Sequence, residues 1–466
     1  MAPRLSSVGS RRARLRAPFF LALAMSALVT LDHSVAAIRM TTSLAMASGC
    51  QPLTMPNGGM VLVARTTDAA RLPDIVANAR RGTTILLEDG VYRIGRQQLL
   101  FRQPNVSLRS KSGTRETVIL DGDNYTTHTM ISVQASHVTI ADLTIQQVYL
   151  HPIHVSGGGD HVILHNLHIV DGRQQFIKVN PDTTGRMNDH GLLTCSLLEL
   201  TDSGRLYIEA NPTPGFRCYT GGIVAHKAQG WVVRDNTFRD IYCNRGLAQH
   251  AVHFWKTSRD ILVERNRIFD CARGIGFGLG PDGPERQYGD SPLAGVSGPV
   301  GHLGGMIRNN MVWSSLARSF DTGIGLEQAY GVKVYHNTIY ATGGFSSIDV
   351  RFPNSNPLVA NNLATIPMTV RDGGRPTRVS NLDSAAPSTF VDAAGKDLRL
   401  APTAVHAIDR GQDLRTDVPF DIEHHARDHA PDLGAHEYAL LRPSASVGLT
   451  VPTQSPRLAG RPDPRH

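Results

Sequence analysis

The stretch "HFWKTSRDILVERNRIFDC", residues 253–271, repeats the rhythm of "IVAHKAQGWVVRDNTFRDI", residues 223–241, with an Asn at the same place. Asn236 and Asn266 mark these two copies. Others align on the same residue: "HVILHNLHIV" (Asn166), "GMIRNNMVW" (Asn310), "VKVYHNTIY" (Asn337) and "PLVANNLAT" (Asn362). Two more copies, "HVTIADLTI" and "GLLTCSLLEL", put Asp142 and Cys195 there. Asp142 to Asn166 is 24 residues, Asn236 to Asn266 is 30, Asn310 to Asn337 is 27 and Asn337 to Asn362 is 25. A short, alternating, β-branched-rich stretch precedes each Asn and another follows it, and period-two alternation indicates a strand. A unit of this length cannot bury its apolar face alone, so the copies must stack as a solenoid. Any one Asn reads as a turn residue. Six at one alignment position predict an inward column, each side-chain amide bonding the next coil.

These repeats resemble those of the right-handed parallel β-helix superfamily of pectate-lyase-like secreted proteins. The ends are similar too. "TTDAARLPDIVANARRGTTILLEDGVYRI" (66–94) reads as a short amphipathic helix followed by a strand and a Gly-x-Tyr turn, and "APDLGAHEY" (430–438) as a closing coil. The helix would cap the first coil, whose open strand edges otherwise invite aggregation. The resemblance implies an all-β solenoid over residues 66–438, after a leader segment at 38–65. It says little about chemistry, because one fold hosts many activities.

The 466 residues exceed the usual size of one domain, but a solenoid core grows by adding coils. At the N-terminus, Arg11, Arg12, Arg14 and Arg16 precede an apolar run, Ala17–Leu31, and Val-Ala-Ala ends at Ala37. That order predicts a signal peptide over 1–37, by a general or a twin-arginine export route, and no transmembrane span in the mature chain. "ASGC", ending at Cys50, resembles a lipoprotein cleavage box, a second way for the exported chain to end at the cell surface rather than in the periplasm or medium. The net charge of +7 misleads: residues 1–37 hold +4 and the Pro/Ser/Arg-rich tail, 439–466, holds +3. The tail composition predicts disorder. The body is neutral, which argues against nucleic acid as a partner; a monomer is expected. Cys243 and Cys271 fall at equivalent places of successive copies and are expected to pair, and Cys195–Cys218 would close the insertion between them. The His-rich "DIEHHARDHAPDLGAHE" (421–437) lacks the HExxH spacing of a zinc site and reads as a solvated turn.

Chemistry is expected on the strand that follows each Asn by about a dozen residues. Its copies are "PIHVS", "FIKVN", "AVHFW", "GIGFG", "GIGLE" and "SIDVR". With the apolar residues inward, one outward column holds His154, Lys178, His253, Gly276, Gly325 and Asp349. The next holds Ser156, Asn180, Trp255, Gly278, Glu327 and Arg351, with His226 nearby. Gly276, Gly278 and Gly325 predict a trough between polar ends, walled by the segments at 181–188 and 281–303. Such a groove, with Trp255 to stack on sugar rings, suits an extended polysaccharide. Each member also has a plainer reading: Lys178 as a solvated surface residue, His253 as a packed histidine, and Arg273, Glu327, Asp349 and Arg351 as salt bridges between coils.

Uronate polymers are cleaved by β-elimination, which needs a base for the proton α to the carboxyl and positive charge for the enediolate. Lys178 or His253 is the candidate base, and Arg273 or Arg351 the candidate cation. Many lyases of the superfamily use calcium held by several carboxylates. Here the columns offer only Glu327 and Asp349, so calcium is optional. Hydrolysis needs two carboxyl groups, for which the same pair would serve. The Asn-Thr-Asp and Gly-His-Gly motifs of polygalacturonases are absent, as are the Asp-Pro-His motif of alginate epimerases and the Trp-x-Asp-His signature of the main pectate lyase family. A carbohydrate-active, lyase-like protein is expected, against a glycoside hydrolase and a non-catalytic glycan-binding or structural surface protein.

Overall fold

A computed structural model describes residues 50–54, 59–280 and 286–438. The expected signal peptide and the tail lie outside these residues. The chain winds through three long parallel sheets in a fixed order. Sheet A has twelve strands, from Val61–Ala64 to Thr377–Val379; sheet B has eleven, from Gly90–Tyr92 to Leu382–Asp383; sheet C has ten, from Leu99–Phe101 to Thr369–Arg371. Each complete coil contributes one strand to A, then B, then C.

Register explains why these short strands hold together. On sheet A the inward column runs Ile140, Leu164, Leu193, Val233, Val263, Ile307, Val334 and Val359, each beside the next and all fully buried. On sheet C it runs Ile131, Ile153, Ile177, Ile223, Val252, Ile275 and Ile324. Burying each such side chain is worth about 1.5–3 kcal/mol, so stacking supplies what one coil lacks. At the N-terminal end a 3-10 turn, Thr66–Arg71, leads into α1, Leu72–Ala77, which buries Leu72 and Val76.

The turn from sheet A to sheet B bends through a left-handed residue. Asp142, Asn166, Cys195, Asp235, Arg265, Asn309, His336 and Asn361 all have φ between 49° and 59°. The residue after it faces inward, and there the amide column forms. Asn236 Nδ2 donates to Asn266 Oδ1 (3.0 Å), Asn266 to Asn310 (3.0 Å), Asn310 to Asn337 (3.0 Å), Asn337 to Asn362 (2.9 Å) and Asn362 to Asn381 (2.9 Å). The register shifts one expectation. Thr194 pairs with His165 and Arg234, so Asn166 and Cys195 occupy the left-handed position, and Leu167 and Ser196 sit where the column passes. Asn tolerates both places, for different reasons.

The disulfides also differ from expectation. Cys195 bonds Cys50, Cys218 bonds Cys243, and Cys271 is a buried free thiol. The segment 50–54 crosses the A–B turns, where Arg109 also donates to the carbonyls of Leu53 and Thr54 (2.9 and 3.1 Å). Because Cys50 Sγ is committed to Cys195, the same sulfur cannot carry a thioether lipid. No helix among the described residues is long and apolar enough to cross a membrane.

Candidate active site

The outer face of sheet C carries the two columns. His154 pairs with Lys178, Lys178 with Val224, Val224 with His253, His253 with Gly276, Gly276 with Gly325 and Gly325 with Asp349. Beside them, Ser156 pairs with Asn180, His226 with Trp255, Gly278 with Glu327 and Glu327 with Arg351. The face divides into two unlike ends.

Around Lys178 the groups are bases and cations. Lys178 Nζ lies 2.9 Å from His226 Nε2. Burial, reinforced by the charge of Lys256, pushes the Lys178 ammonium down to about 7. His226 is held far below the usual histidine range by burial and by Lys178, so it is neutral and its Nε2 accepts from the lysine. Its ring meets Trp255 edge-on, with centroids 4.6 Å apart. Lys256 Nζ stands 4.8 Å from the centroid of the Trp255 ring. On the other side His154 Nε2 is 3.0 Å from Asn180 Oδ1. Lys178 forms no ion pair with a carboxylate among the described residues.

At the far end the charges are already matched. Arg371 grips Asp349 through Nε (3.0 Å) and Nη2 (2.8 Å). Arg351 bonds Asp372 (2.5 Å) and lies 4.0 Å from Glu327. Arg273 bonds Asp321 (2.7 Å). Burial raises the Glu327 carboxyl, Arg351 opposes this and Asp349 adds to it. At the strand spacing of ~4.8 Å, Arg273 starts a strand roughly 14 Å from that of Lys178, Glu327 lies roughly 19 Å away and Arg351 roughly 24 Å. Neither arginine reaches the charge developed at a Lys178 site. Asp349 also fits calcium poorly, because Arg371 already occupies both of its oxygens. Among the described residues no group of three or more His, Cys, Asp or Glu is arranged to hold a metal.

Between the ends the expected trough is filled. A Cβ on Gly276 would come 2.7 Å from His250 Nε2, and one on Gly325 would come 3.4 Å from the same atom. The His250 ring therefore lies over both glycines. Gly278 has φ +76°, and a Cβ there would sit 1.9 Å from the carbonyl oxygen of Glu327. It is glycine for close backbone approach, not for substrate. His253 is 1% exposed, its Nε2 is 2.9 Å from the Gly278 carbonyl and its ring is parallel to Trp255 at 5.6 Å. Burial holds it down at about 4. It is a packed, neutral histidine, whereas Lys178 is partly exposed.

The sequence reading missed Lys256, although it directly follows Trp255. It was overlooked because it occupies the turn after the strand, outside both columns. Arg371 was missed because its strand, Thr369–Arg371, begins only seven residues after Asn362, well short of the dozen that the other copies suggested.

No family model matches the chain, and no curated protein matches it in sequence. Among solved structures, the crystal structure of pectate lyase Pel9A matches with a TM-score of 0.55 at 13% identity, covering 82% of this chain and 97% of that one. A rhamnogalacturonan lyase matches at 11% identity over 72% of this chain and 91% of its own, with a TM-score of 0.48. The alginate lyase from Paenibacillus sp. str. FPU-7 matches at 13% identity over 68% and 99%, with a TM-score of 0.37. At these identities the likeness is one of fold. The chain is a right-handed parallel β-helix, similar in fold to pectate lyase Pel9A.

Proposed function

We propose that this is an exported enzyme that cleaves an acidic polysaccharide by β-elimination, with Lys178 as the general base. One observation carries the reading: a half-buried lysine, 2.9 Å from a neutral histidine and with no carboxylate partner among the described residues, has its ammonium pushed down to about 7. A lysine poised near neutral pH can take a proton that an ordinary lysine cannot. The proton α to a uronate carboxyl passes to Lys178 Nζ, the bond to the departing glycosidic oxygen breaks, a C=C bond forms, and water protonates the leaving oxygen. His226 accepts a hydrogen bond from the new ammonium. Lys256 supplies positive charge to the uronate, and Trp255 offers a face for a sugar ring. No step runs through calcium. Two disulfides support an oxidising compartment and hence export.

The test is to incubate the mature chain with pectate, alginate and chondroitin, with and without calcium. Ultraviolet absorbance from unsaturated ends and reducing sugar are followed together. Absorbance that Lys178→Met abolishes supports elimination here. Reducing ends without absorbance would transfer the case to hydrolysis. Retention on the polymers without any product would favour a binding protein.

A further inference from the structure

A second opening lies on the other flank of sheet C, where the chain passes from sheet B to sheet C. These passages differ in length. Residues 240–249 lead into the strand at His250 and 315–321 into the strand at Thr322, but only 270–272 lead into the strand at Arg273. A short passage between two longer ones leaves a notch of about 490 Å³, lined among others by Asn244, Leu247, Arg318, Phe320, Asp321 and Phe345.

Its walls are held in place. The Cys218–Cys243 disulfide pins one of them, and the backbone N–H groups of Asn244 and Arg245 donate to Glu209 Oε1 (2.5 and 3.3 Å). Into this rigid frame the chain sets apolar surface: Leu247 is 40% exposed and Phe345 48%. The charge is cationic on balance. Asp321 is neutralised by Arg273 at 2.7 Å, and Arg371 lies 5.0 Å from the Phe345 ring centroid while gripping Asp349. Arg318 is exposed and has no partner among the described residues. Apolar platforms beside an unpaired guanidinium match a uronate sugar, which presents apolar C–H faces and one carboxylate.

We infer that this notch is a second glycan-binding site, in which Phe345 and Leu247 meet ring faces and Arg318 binds a carboxylate of the same acidic polymer. The inference rests on the proposed substrate class. It goes beyond the reaction, because the notch holds none of the groups around Lys178. Two sites on one polymer raise the effective concentration of substrate at the first.

Affinity electrophoresis of the full mature chain through gels containing polygalacturonate or alginate tests it, with Arg318→Glu and Phe345→Ala compared with Lys178→Met. Losing a charge-assisted contact is expected to weaken retardation about tenfold or more in Arg318→Glu, while Lys178→Met is retarded like the unaltered chain. Arg318 is exposed, so its variant is expected to keep the fold, which a melting curve verifies. Retardation that neither notch variant changes, or no retardation in either gel, overturns the inference. The elimination reading is judged separately, by whether the unaltered chain produces absorbance that Lys178→Met lacks.

Discussion

Replacing Lys178 with Met keeps a long apolar stem and removes only the titrating nitrogen. In the folded chain, burial and Lys256 bring the ammonium down to about 7 from 10.5. In the unfolded chain the amine titrates near its ordinary value, about 10.4. Between these two values the unfolded chain binds the proton and the folded chain does not, so the group disfavours folding there. Its contribution to stability is whole above about 10.5, falls as pH drops, and levels off below about 7. The full drop corresponds to about 5 kcal/mol, and water at the partly exposed side chain lowers what is realised. Lys178→Met is therefore expected to be about 2–4 kcal/mol more stable than the unaltered chain at pH 7, the difference shrinking steadily toward pH 10, while product formation disappears. Urea unfolding of both chains at several pH values between 6 and 10 measures this. A difference independent of pH, or a variant that is less stable, would refute the reasoning, since it would mean that Lys178 titrates as an ordinary surface lysine.

Four further outcomes are expected. The rate of elimination should rise with pH through about 7, as Lys178 loses its proton, and Lys178→Arg should abolish it because arginine stays charged; a rate flat across pH 6–9 speaks against the assignment. Asn310→Ala strands buried groups, including the Asn266 N–H (3.0 Å) and the Val263 carbonyl (2.9 Å), and should cost about 2–5 kcal/mol in denaturant unfolding, more than Asn381→Ala at the end of the column. Gly278→Ala, which combines φ +76° with a Cβ 1.9 Å from a carbonyl oxygen, should lower the free energy of unfolding by about 3 kcal/mol or abolish soluble expression. Non-reducing peptide mapping should recover Cys50 joined to Cys195 and Cys218 joined to Cys243, with Cys271 alkylated only after unfolding; a Cys243–Cys271 peptide would contradict the register.

The solenoid was legible because its physics is local. Alternation places Ile153, Ile177, Ile223, Val252, Ile275 and Ile324 on one inward line, and repetition then requires stacking. Both outward columns of sheet C follow from the same alternation. Register was less legible. In the sequence Asn166 aligns with Asn236, yet it belongs one residue earlier, because a left-handed turn and a buried amide column both favour Asn. The disulfides failed for another reason. Cys50 lies far outside the repeats, and nothing local says which turn the leader crosses.

What the sequence alone determined is which side chains share a face, since the two-residue period of a strand is a property of each short stretch. Only the tertiary structure decided what fills that face. A glycine does not announce whether its missing side chain leaves room, and the His250 ring occupies the space over Gly276 and Gly325. An outward lysine does not announce whether it is solvated. Lys178 meets His226, from the next strand, and feels Lys256, from the turn that follows the strand after that. Burial and proton affinity depend on neighbours brought together by stacking, tens of residues away along the chain, and those no local pattern records.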